Sequence, residues 1–163
     1  MSKRVFLNAC LAAGVALLGA CASTPPARVS VADTAARTPE LSTLSGLIQQ
    51  SGLAEQLRGA GPYTVFAPSN EAFKAVPPAT MAQLAADKEL LRSVLNFHVL
   101  PAKLSAAEVT NSNQKSVQGA NLALSKAGSF VTVEDAVVQS ADVPASNGVV
   151  HIIDRVLMPP VKK

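Results

Sequence analysis

The stretch Tyr63-Thr-Val-Phe-Ala-Pro-Ser-Asn-Glu-Ala-Phe73 decides how this chain is read. Thr64 to Ala67 can form a short strand that buries Val65 or Phe66, and Pro68 stops it because proline has no N–H for a ladder. Ser69 or Asn70 can then cap a turn in which Phe73 folds back onto the core. The chain divides around this stretch. Upstream, Thr38-Pro39 offers an N-cap with proline at the first helical position. Leu41, Leu44, Leu47 and Ile48 then recur at helical spacing as far as Gly52, and Leu53 to Arg58 reads as one more turn. Downstream, Pro77-Pro78 precedes a short helix through Met81 and Leu84. Asp87 can cap another, whose stripe is Leu90, Leu91, Val94 and Leu95, with Phe97 and His98 at its end. Ser105-Ala-Ala-Glu108 has the spacing of a capping box.

The second half alternates with period two instead. Leu122 and Leu124, then Val131 and Val133 beyond a turn at Gly128, read as strands. Asn147-Gly148 signals a turn with positive φ into a closing strand, and Val149 to Met158 is an apolar, β-branched run ended by Pro159-Pro160. Helices first and a mainly antiparallel meander later predict an α+β domain and exclude a doubly wound parallel sheet. The 163 residues are 48% hydrophobic and 15% charged, enough for one domain with a packed core and too few charges for a disordered chain.

Residues 1–20 read as an address. Lys3 and Arg4 precede an uncharged run from Val5 to Ala20 that is too short for a confident bilayer span. It ends in Leu18-Gly19-Ala20-Cys21, which resembles the lipobox of bacterial lipoproteins. That resemblance implies a diacylglycerol on Cys21 and cleavage just before it. Ala22 stands where an aspartate would resemble an inner-membrane retention signal, so the outer membrane of a Gram-negative cell, on its periplasmic face or its surface, is the expected destination. Residues 21–28 form a small, Pro-rich lipidated tether that reaches about 25 Å at most, and 29–160 form the domain. Of 14 basic residues, removing Lys3 and Arg4 leaves 12 against 11 acidic ones, so the apparent +3 becomes +1. Cys10 leaves with the signal and Cys21 carries lipid, so no disulfide is expected.

Three segments, Tyr63 to Phe73, Leu95-Asn-Phe-His-Val-Leu-Pro101 and Ser146-Asn-Gly-Val-Val-His-Ile-Ile-Asp-Arg-Val-Leu-Met-Pro159, together resemble the fasciclin (FAS1) domain. The likeness rests on Thr64, Phe66, Pro68, Asn70 and Phe73, on Phe97 and His98, and on Asn147, Gly148, His151 and Asp154. It spans about residues 29 to 160. Ser69 stands where the family usually has threonine, and Phe97 replaces the tyrosine of a Tyr-His pair, so that phenolic hydroxyl is missing here. The resemblance implies the FAS1 fold, helices packed on a mainly antiparallel sheet wedge, and an adhesion or interaction role.

Chemistry is sparse. His98 and His151 are the only histidines, and a zinc site would want three or four ligands that this chain does not supply. A triad of Ser69, His98 or His151, and Asp154 lacks a nucleophile elbow. Glu134-Asp135 reads as a solvated turn, and Lys162-Lys163 is too small for a nucleic-acid patch. The motif residues are therefore read as mainly structural, with no catalytic group, metal or cofactor. The expected partners are the membrane, through the lipid, and an envelope protein or matrix polymer, with no nucleic acid. The alternative is a small-ligand binder using a crevice near Phe97-His98.

Overall fold

The computed structural model describes residues 29–160. The signal peptide read at 1–20, the lipid-bearing Cys21 and the tether to residue 28 lie outside the described residues. Ser30 caps α1 (Val31–Arg37), its hydroxyl accepting the Asp33 N–H. The sequence reading does not anticipate this helix, because it buries only Val31, Ala32, Thr34 and Ala35 and carries no stripe of large apolar residues. Thr38 does not cap the next helix either. Its hydroxyl donates back to the Thr34 carbonyl, Pro39–Leu41 form a 3-10 turn, and α2 (Ser42–Ser51) starts after it. Gly52, at φ 75°, ends α2 in the left-handed conformation, and its N–H reaches the Ile48 and Gln49 carbonyls.

After α3 (Ala54–Arg58) comes β1 (Tyr63–Pro68), and Ser69 rather than Asn70 caps α4 (Asn70–Lys74) by accepting the Ala72 N–H. Pro78 opens α5 (Pro78–Ala86), and the Asp87 carboxylate accepts the Glu89 and Leu90 N–H groups at the start of α6 (Lys88–Phe97). The buried stripe of α6 is Leu91, Val94, Leu95 and Phe97; Leu90 sits off it, exposed. Then follow β2 (Val99–Leu100), β3 (Ser112–Lys115), β4 (Asn121–Ala127), β5 (Phe130–Val133), β6 (Ala136–Ala145) and β7 (Gly148–Ile153). The run from Val149 to Met158 is thus a strand only to Ile153; Asp154 and Arg155 bend, and the chain continues to Pro160 as an irregular strap.

The seven strands lie in the order β2-β1-β7-β6-β5-β4-β3. Only β1 and β7 run parallel, in register from Tyr63 opposite Gly148 to Pro68 opposite Ile153; every other pair is antiparallel. This is the α+β wedge expected from the sequence. Side chains alternate between faces along a strand, and both faces of the β1–β7 pair are buried. Val65, Ala67, Val150 and Ile152 join the helices around Leu41, Leu44, Ile48 and Leu91. Phe66 and Ile153 point the other way, into a second core with Phe97, Leu122, Leu124, Val131 and Val133. The choice between Val65 and Phe66 as the buried residue of β1 therefore has the answer that both are, as in any strand covered on two sides.

Candidate functional site

The motif residues gather along the β1–β7 pair, which divides into two ends. At the starting end, Asn147 uses its whole side-chain amide. Its Oδ1 accepts the Val31 N–H at 2.9 Å, and its Nδ2 donates to the Leu57 and Gly59 carbonyls at 2.8 and 2.7 Å. The Asn147 carbonyl accepts the Tyr63 N–H. One residue thus ties the start of α1, the end of α3 and the start of β1 to the β6–β7 turn. Gly148 is needed here for a different reason from the one expected. Its φ is not positive; instead a Cβ on Gly148 would overlap the Tyr63 carbonyl across the sheet. Close approach of two backbones, not a left-handed turn, fixes the glycine.

One residue further along β1, Thr64 is wholly buried. Its hydroxyl donates to the Ala102 carbonyl at 2.6 Å and accepts the Leu104 N–H at 2.8 Å, pinning the loop after β2. His151, on the same face, stacks on Phe66 with ring centroids 5.5 Å apart. Its Nδ1 accepts the Asp142 N–H at 3.2 Å, so the proton sits on Nε2, which donates to the Leu104 carbonyl at 2.8 Å. Asp142 has φ 58° within a bulged part of β6, and its carboxylate accepts the Ala106 N–H. Asp142 escaped the sequence reading, since a lone aspartate in a polar run gives no sign of a bulge.

His98 follows the same logic one layer away. Nε2 accepts the Leu157 N–H at 2.9 Å, so Nδ1 carries the proton and donates to the Val94 carbonyl at 2.8 Å. Burial pushes its pKa down to about 4, against a smaller upward pull from the hydrogen bond to Val94. The imidazole is neutral at ordinary pH and clamps the strap after β7 onto α6. Phe97 is also buried and packs in the core beside Leu100 and Leu157. The crevice expected near Phe97-His98 is therefore a correction. Both side chains are about 2% exposed, and both ring nitrogens of His98 already have protein partners.

The remaining motif residues also serve the fold. Asn70 accepts the Thr43 N–H and donates to the Pro39 carbonyl, holding α4 against the start of α2. Pro68 is buried at the end of β1, and Phe73 folds into the helical core as read from the sequence. Asp154 accepts the Val137 N–H at 2.7 Å, extending the β6–β7 ladder by a side chain. Ser69, the histidines and Asp154 share no side-chain hydrogen bond, so the triad does not assemble. Among the described residues, no cluster of three or more His, Cys, Asp or Glu is placed to hold a metal. Glu134 and Asp135 form an exposed turn, with Glu134 accepting the Ala123 N–H and Asp135 paired to Arg155.

At the finishing end the surface opens. A groove of about 400 Å³ lies between Ala72, Ala75, Val76 and Pro77 on one wall and Arg155, Val156 and Met158 of the strap on the other. The strap wall belongs to the third motif segment, but the sequence does not show that it faces Ala72 to Pro77, about 80 positions earlier.

The family model for the Fasciclin domain matches residues 39–159. Protein sll1483 of Synechocystis sp. is 40% identical over 135 residues, covering 82% of this chain and 75% of that protein. The cell surface glycolipoprotein MPB83 of Mycobacterium bovis is 38% identical over 137 residues, covering 81% of this chain and 61% of its own length. The solved structure of a FAS1 domain pair from the insect cell adhesion molecule fasciclin I superposes with a TM-score of 0.62 at 26% identity, over 76% of this chain and 46% of the pair.

Proposed function

This chain belongs to the fasciclin domain family, and from that premise we propose that it is an interaction module of the cell envelope, held to the outer membrane by a lipid on Cys21 and performing no chemistry of its own. The observation that carries this reading is the use of the polar motif atoms. Thr64, Asn70, His98, Asn147, His151 and Asp154 all direct their side chains to backbone groups of the fold. A catalytic group must present an atom to substrate; these present theirs to the protein. Two of the similar proteins, a cell surface glycolipoprotein and a cell adhesion molecule, support the same class of role. Two or three acyl chains on Cys21 would hold the domain firmly, at about 0.8 kcal/mol per buried CH₂, and the short tether keeps it near the bilayer.

The test has two arms. Cells making the full chain are fed labelled palmitate and fractionated beside cells making Cys21→Ser; label and outer-membrane association are expected in the wild type alone. A variant that labels and fractionates like the wild type removes the anchor. Turnover of any envelope substrate that is abolished in a folded His98→Gln or His151→Gln protein would remove the non-catalytic half.

A further inference from the structure

The groove at the finishing end of β1–β7 holds a second kind of information. Its walls are aliphatic: Ala75, Val76 and Pro77 face Val156 and Met158, and no aromatic residue lines it. Backbone donors on the helical wall are already used, since the Ala75 N–H donates to Glu71 and the Val76 N–H to Phe73, while Pro77 has none. On the strap, the Leu157 N–H is held by His98. The helical wall thus offers a ligand carbonyl no free N–H from Ala75 to Pro77, and a hydrocarbon chain, which needs none, suits the aliphatic lining.

The one charged group in the lining is Arg155. Its Nη1 contacts Asp135 at 3.2 Å, and with the side chains 59% and 73% exposed that pair is weakly held. A guanidinium has five N–H donors in a fork suited to a carboxylate, and four of them have no hydrogen-bond partner among the described residues. We propose that this groove binds the aliphatic chain of a medium- or long-chain carboxylate, with Arg155 receiving the carboxylate at its rim. The volume lies within the range of small-ligand pockets. The site also lies away from the amino-terminal side of the domain. The Val29 carbonyl accepts the Ser146 N–H at the starting end of β1–β7, and six strand residues, about 17–20 Å, separate that end from the groove. The inference does not depend on the lipid anchor, since it concerns the domain alone.

The test uses the full chain in isolated membranes without ATP or coenzyme A, so that the probe stays a free acid. A diazirine-bearing dodecanoic acid is photolysed and its attachment mapped by mass spectrometry. Crosslinks are expected on residues 72–77 and 156–158, competed by laurate and much less by dodecanol or butyrate. Arg155→Gln should lower the yield about tenfold, the loss of one partly screened charge-assisted contact, and Ala75→Trp should abolish it by filling the groove. Both positions are exposed, and circular dichroism checks that the variants fold. Crosslinks scattered over the surface, equal competition by dodecanol, or yields unchanged in both variants would overturn the proposal.

Discussion

The two ends of the β1–β7 pair are built to opposite rules. At the starting end, Asn147 makes three side-chain hydrogen bonds and Gly148 lets two backbones meet, so helices, sheet and turn are tied with no polar atom of that side chain to spare. At the finishing end, chain leaves both strands and diverges around an aliphatic groove whose arginine has a single exposed partner. The strands between them are the same two strands in the same register. The polar motif residues therefore mark where the fold is tied.

Substitutions can break this contrast, and the largest effect belongs to the shared middle. Phe66→Ala, at a fully buried position between His151 and the meander core, should cost about 3–5 kcal/mol in urea unfolding. A cost below about 1 kcal/mol would show that the middle of the pair is not the core on which both ends rest.

Acid should act next, through the strap that walls the groove. His98 titrates near 6.5 in the unfolded chain and near 4 in the native one, so between those values only the unfolded chain takes up the proton. Stability is full above about pH 6.5 and falls as pH drops towards 4, by about 3 kcal/mol in all. Urea midpoints at pH 7, 5.5 and 4 measure it. A His98→Gln protein, less stable throughout, should lose most of that slope, and a wild type with level stability across the window would mean that His98 is not buried as a neutral ring.

The ends themselves are then compared directly. Asn147→Ala leaves the Val31 N–H and two carbonyls without a partner and should cost about 2–3 kcal/mol, whereas Arg155→Gln at the open end should change stability by less than about 0.5 kcal/mol. Equal costs at the two positions would erase the distinction drawn between them.

Much of this was legible residue by residue. Asp87 as a cap, Gly52 as the end of a helix, the alternation of Leu122 with Leu124 and the burial of Phe73 are local matters, decided by a few neighbours in sequence. What escaped was decided elsewhere. Helix α1 has no stripe of large apolar residues and is held by distant partners, among them Asn147, 116 positions away, whose side chain accepts its first N–H. The edge strand β3 is polar throughout and owes its shape to β4. Gly148 was singled out correctly and for the wrong reason, since the Tyr63 carbonyl that forbids a side chain there comes from a distant strand. The sequence places a ligand crevice near Phe97-His98, yet His98 is a clamp, and the open groove is walled by Ala72, Ala75, Val76 and Pro77 against Arg155, Val156 and Met158, residues with nothing in their local pattern to mark a cavity.

The parallel register of β1 with β7 also dictates when the molecule can exist. Tyr63 and Gly148 are 85 residues apart in the chain, and β7, an interior strand of the sheet, is the last of the described elements in chain order. Neither core can close before it arrives, because β7 contributes Val150 and Ile152 to one and Ile153 to the other. Contacts of such long span are slow to form, and a chain lacking its last twenty residues would have helices and hairpins with nothing to assemble on. Completion of both cores therefore waits for β7, whichever of their other members are made first.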